Sequence, residues 1–278
     1  MRFTAAVLLW VITTVAAALA ISTAWAQLNV VDADGYAAMA RRAATDPTLQ
    51  SAAASELATQ ATALITQRGR SVDPAVVGGA AAAYTASPAF PPQFAEVNRL
   101  VHGWVLGSDS SGDPWVVDVA PMLKDPSLQQ MLNRFHVRPP ATLTVPLTAS
   151  TPNSMHPGRL RLLAAWNLWL CLGTTALAGF SAVLTLAAAR SRAKALTGLG
   201  VSALVVGACG WAALEVARRH VDEALGDTTG DIRSIADVMV GHAEGGLHHW
   251  FNLTLAAGGL LAALGVLVAV LGGLRHSH

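Results

Sequence analysis

The sequence predicts an all-α membrane protein. Four transmembrane helices are expected, with a mostly helical extracytoplasmic domain between spans one and two that has room for a small β element. Three observations predict this. First, 53% of the residues are hydrophobic and only 13% are charged, with a mean hydropathy of +0.45, whereas soluble domains carry about 25% charged residues. Second, residues 162–189 form a 28-residue run without a charge, and residues 195–214 form a 20-residue run. A hydrocarbon core of about 30 Å takes about 20 helical residues to cross. Third, the turn between these runs holds Arg190, Arg192 and Lys194, the cation-rich composition of a short cytoplasmic loop.

In chain order, residues 1–26 come first. Arg2 precedes a 24-residue uncharged run that ends in Ala24-Trp25-Ala26. The small residues flanking Trp25 resemble a signal-peptidase site. A secretory apolar region is typically about 7–15 residues long, however, and Trp25 suits a membrane–water boundary. The length favours an uncleaved anchor, and both readings export the segment beyond Ala26.

Residues 27–160 read as the extracytoplasmic domain. Asp-Pro recurs at Asp46-Pro47, Asp73-Pro74 and Asp125-Pro126. Asp at an N-cap accepts a bond from an orphan N–H, and Pro at the first helical position has no donor to waste. Helices are expected over about 33–45, 47–67, 74–84, 92–106 and 126–135. In the second, Leu49, Ala53, Leu57, Leu64 and Ile65 recur at helical spacing. The segments 115–119 and 142–147 read as extended and able to pair. Ser87-Pro-Ala-Phe-Pro-Pro92 and Arg138-Pro-Pro140 read as ordered joints, and 148–158 as a linker.

Residues 161–217 form the transmembrane hairpin. Residues 218–250 come next as a separate extracytoplasmic amphipathic helix. There Thr228 and Asp231 resemble a capping box, and Ile232, Ile235, Val238, Met239 and His242 form a stripe that Gly245-Gly246 should end. Residues 251–278 supply the fourth span and a short tail.

With four spans, both termini share one side. If that side is the cytoplasm, it holds Arg2, Arg190, Arg192, Lys194 and Arg275 and no acid, while all 17 acids lie outside. This division obeys the positive-inside rule. The formal net charge of +1 gives no reason to expect a nucleic-acid partner. The expected partners are the bilayer and another membrane protein. Ala203 with Gly207, Gly258 with Ala262, and Gly259 with Ala263 recur at one-turn spacing, which allows close helix approach within the chain or against a partner.

No catalytic, cofactor-binding or metal-ligating set emerges. Gly-x-Ser-x-Gly, phosphate-loop and dinucleotide motifs are all missing from the sequence. Glu215, near a span end, has ion-pair spacing to Arg218. His242, His248 and His249, with Glu244, read as interfacial residues, because zinc asks for a fuller ligand set. Asp32 and Asp34 suit a helix cap, and Asp109, Asp113 and Asp118 suit turns. Trp104, Trp115, Phe90, Phe94 and Phe135 read as domain core. Cys171 and Cys209 fall inside spans and read as packing atoms.

Several stretches together carry a resemblance. These are Asp32-Ala-Asp34-Gly-Tyr36 directly after the anchor, an Asp-Pro-led helix, the Phe90-Pro-Pro92 joint, Asp125-Pro-Ser-Leu-Gln-Gln130, and Thr228-Thr-Gly-Asp-Ile-Arg-Ser-Ile-Ala-Asp237. The chain resembles multi-pass proteins of the actinobacterial, and specifically mycobacterial, envelope that have no assigned activity. Some similar proteins are thought to be accessory subunits of Mce lipid-uptake transporters. The resemblance implies a non-enzymatic subunit or scaffold of an envelope complex in the plasma membrane. The alternative is a membrane-anchored extracytoplasmic hydrolase-like enzyme using acidic residues.

Overall fold

The computed structural model describes residues 2–67, 69, 71–106, 116–118, 129, 144–146, 161–188, 191–226 and 230–274. The elements are α1 (Arg2–Ala26), a π-helical turn (Gln27–Val31), α2 (Ala33–Ala43), α3 (Pro47–Gln67), α4 (Pro74–Thr85), α5 (Phe90–Leu106), β1 (Val116–Asp118), β2 (Thr144–Pro146), α6 (Arg161–Ala188), α7 (Arg192–Ala224) and α8 (Gly230–Leu274). They form two compact units. The expected helix over 126–135 and the linker over 148–158 lie outside the described residues.

One unit comprises residues 1–31, 163–224 and 244–278. Its α1, α6, α7 and α8 supply four stretches long and apolar enough to cross a membrane, so the chain has the make-up of a multi-pass membrane protein. In hydrocarbon, helices associate through close packing and interhelical hydrogen bonds rather than through hydrophobic burial, and the contacts here are of those kinds. Trp10 Nε1 donates to Gly198 O at 3.1 Å, and Thr14 Oγ1 to Ser202 Oγ at 3.0 Å. Helices α1 and α7 therefore run parallel. Asn167 Nδ2 on α6 donates to Gln27 Oε1 at 2.9 Å and to Thr23 O at 3.3 Å.

Helices α7 and α8 are antiparallel and zip together on glycine. A methyl added to Gly200 would fall 2.5 Å from Ala262 N, and one added to Gly258 would fall 2.8 Å from Leu204 N. Gly207 is covered by Leu255, Gly210 by the Phe251 ring, and Gly265 by Thr197. The small residues expected to permit close approach, Ala203 with Gly207 and Gly258 with Ala262, are thus used where α7 meets α8. Gly259 has open space at its Cβ position.

The other unit comprises residues 32–162 and 225–243. Its helices start where side-chain acceptors meet orphan N–H groups. Asp32 caps α2 through Gly35 N at 2.7 Å, Asp46 opens α3 through Thr48 N at 2.7 Å, and Asp73 caps α4 through Ala75 N at 2.9 Å. The core gathers Ala43, Ala44, Leu49, Ala53, Tyr84 and Phe90, with Phe94, Ile235, Val238 and Met239 packed against them. Tyr84 meets Phe90 edge-on at 5.7 Å, and Phe90 meets Phe94 at 5.5 Å. The strands β1 and β2 pair antiparallel, with Val117 opposite Val145.

Three local expectations need correction. The stripe on α3 is buried only in its first half, where Leu49 is 0% exposed, while Leu57 is 41% and Leu64 40% exposed. Gly245-Gly246 does not end a helix, because α8 runs unbroken through it. Nor does the hairpin's second helix stop at 217, because α7 continues to Ala224. At 45 residues α8 is about 67 Å long, well beyond what a bilayer core requires.

Candidate functional site

The membrane unit concentrates its chemistry at one end. Trp10, Gly198 and Gly265 mark the opposite end through the α1–α7 and α7–α8 contacts. Trp25, Trp166, Trp169, Trp211 and Trp250 cluster along the helices at this end, and they are five of the eight tryptophans in the chain. Such a belt fits headgroup level, where an indole presents an apolar body and a wet N–H.

The individual contacts show how the sequence builds this end. Trp25 is buried at the end of α1. Its indole lies so close to α8 that a methyl on Gly246 would fall 3.3 Å from Nε1. The chain then tightens into the π-turn Gln27–Val31, where Asn29 Nδ2 donates to Trp25 O at 3.0 Å. Trp211 Nε1 donates to Asn252 Oδ1 at 3.1 Å, and the indole stacks on the His248 ring with centroids 3.9 Å apart. Arg218 Nη1 meets Glu244 Oε2 at 3.0 Å, with the Glu244 side chain only 12% exposed. Continued downward, the same ladder becomes the glycine zipper.

The expected pairing of Arg218 with Glu215 is replaced by this cross-helix bridge to Glu244. A helix-spacing rule sees only partners on the same helix, and α7 lengthens far enough to present Arg218 to α8. Glu215 is exposed. The histidines do not converge. His242 Nδ1 lies 3.0 Å from Val238 O on its own helix, His248 is on Trp211, and His249 is exposed. Among the described residues no group of three or more His, Cys, Asp or Glu side chains is placed to hold a metal ion.

In the other unit, Asp34 forms an ion pair with Arg99 at 2.9 Å, and Tyr36 stacks beside buried His102 at 5.1 Å, tying α2 to α5. Burial pushes the Tyr36 phenol above its ordinary value. Phe90 and Phe94 join the core as expected, whereas the side chains of Trp104, Trp115 and Phe135, with Asp109, Asp113 and Asp118, lie outside the described set.

Asp46 carries a pH prediction. The Thr48 backbone N–H foremost holds its carboxyl below the usual carboxylate range. Partial desolvation opposes this, and the Thr48 hydroxyl, the Leu49 N–H and the charge of His242 add to it. A depressed folded value means the stabilisation is complete above the unfolded carboxylate value, near 4, and is lost as pH falls through the lower folded value. Wild-type protein should therefore lose thermal stability from about pH 5 down to pH 3 more steeply than Asp46→Asn. Equal slopes in a melting series would remove Asp46 from that account.

The arrangement defines a class: a multi-pass helical membrane protein with a tryptophan-belted hairpin and a separate helical unit. Beyond that class, no known protein family, curated protein or solved structure matches the chain.

Proposed function

We propose that this chain is a non-enzymatic integral membrane subunit, or scaffold, of a cell-envelope complex that docks sideways onto a membrane partner through α6. One observation carries the reading: α6 is the helix its own chain leaves most open. Trp166 is 64%, Trp169 72% and Phe180 64% exposed, and only 6% of its apolar window is buried. Gly200, Gly207, Gly258 and Gly265 are taken up by the contact between α7 and α8, whereas the large apolar side chains of α6 are left open to a neighbour. The cation distribution supports a plasma-membrane protein with both termini in the cytoplasm and the helical domain outside. The resemblance to accessory subunits of Mce-type lipid transport gives the proposed setting.

Purification from native membranes in a mild detergent tests this. A membrane protein should co-purify, and Trp169→Ala with Phe180→Ala should reduce its recovery severalfold. Recovery of this chain alone, or undiminished co-purification by the double variant, would overturn the docking face. An alkaline phosphatase fusion at position 100 should be active, and an inactive one would reverse the topology.

A further inference from the structure

We propose that the hairpin of α3 and α4 is an arm that docks onto an anionic lipid surface. The two helices pack against each other, yet burial is confined to one end of the pair. On α3 it covers Leu49, Ala52, Ala53 and Ala54, and on α4 it covers Ala81, Tyr84 and Thr85. Among the described residues from 55 to 80, none is buried. The stretch of α3 from Ser55 to Gln67 therefore runs on for about 20 Å past its last buried residue.

The free end is apolar where a solvated helix would carry charge. Helix α4 has no charged residue along Pro74–Thr85, and a helix apolar on all sides is ordinarily covered by a core or a membrane. Val76 nevertheless stands 37% exposed. Leu57 and Leu64, two turns apart on one face of α3, are open as well.

Charge selects the occupant. Between Leu57 and Ala95 the charged residues are Arg68, Arg70 and Asp73. Asp73 is engaged in capping α4 through Ala75 N. In sequence the two arginines flank Gly69, whose φ of 71° and N–H bond to Thr66 O at 2.9 Å close α3. Apolar side chains beside cations are the composition that binds anionic bilayers. The former enter the acyl boundary, and the latter meet headgroup phosphates. A specific protein partner would call for an aromatic anchor, and residues 57–83 contain no aromatic side chain.

Vesicle flotation tests the proposal, with the full-length protein held in phosphatidylcholine nanodiscs. The probe is vesicles of phosphatidylcholine with about 30% phosphatidylglycerol, and pure phosphatidylcholine vesicles are the comparison. The anionic vesicles should carry the protein upward at least about tenfold more efficiently. Arg68→Gln with Arg70→Gln should weaken that binding about 25-fold, about fivefold for each cation. Leu64→Ser with Val76→Ser should weaken it at least about tenfold. Leu100→Ser, at a 47% exposed leucine on α5, should leave it unchanged. Failure to float with anionic vesicles would overturn the proposal, as would equal flotation with both kinds. Flotation that ignores both double variants would place the lipid contact elsewhere and overturn it too. Variants that keep vesicle binding but lose a co-purifying protein would assign the arm to that protein instead.

Discussion

Leu49→Ala should destabilise the helical unit by about 2–5 kcal/mol, the range for emptying a fully buried leucine site. Leu49 is 0% exposed and lies in the cluster of Ala43, Ala44, Ala53, Tyr84 and Phe90. Three of these neighbours are alanines, with no longer side chain to swing into the void, so the cavity should collapse poorly. The contrast is Leu57→Ala, two turns further along α3. That leucine is 41% exposed, and its truncation should cost under about 1 kcal/mol. Urea titration of the full-length protein in mild detergent, read by exchange protection of α3, separates the two. Similar costs would mean that the buried half of the stripe is wrongly placed.

That contrast shows what the sequence could and could not reveal. Span number was legible because crossing a bilayer is a local requirement of length and apolarity, met by each run alone. The starts of α2, α3 and α4 were legible for the same reason, since Asp32, Asp46 and Asp73 cap within three residues of themselves. Periodicity gave the stripe on α3, but not how far a neighbour extends to cover it. Same-helix spacing paired Arg218 with Glu215, whereas the partner is Glu244, 26 residues away. Gly245-Gly246 read as a break because glycine propensity is unfavourable. Packing on either side of it, at Met239 and at Phe251, overrides a deficit of about 1 kcal/mol per glycine. The stacking of His248 on Trp211 depends on the register of α7 against α8, which no property of either segment specifies.

That register leads to the second large effect. Gly200→Leu should lower the stability of the membrane unit by about 1–3 kcal/mol, the usual cost of overpacking. The first carbon alone would meet Ala262 N at 2.5 Å and Gly258 O at 2.7 Å. Both are backbone atoms, which cannot step aside as a flexible side chain can. Relief requires the helices to part, and parting loses the contacts at Gly207 and Gly258 together. Water would drive apolar helices back into contact, but lipid tails are as apolar as leucine and supply no such force. Gly259→Leu adds the same bulk one residue from Gly258, where nothing stands within 4 Å, and should be close to neutral. Thermal unfolding of both variants in one detergent gives the comparison. Equal melting temperatures would mean that α7 and α8 do not meet along the glycine face, and the Arg218–Glu244 bridge and the Trp211–His248 stack, which share its register, would fall with it.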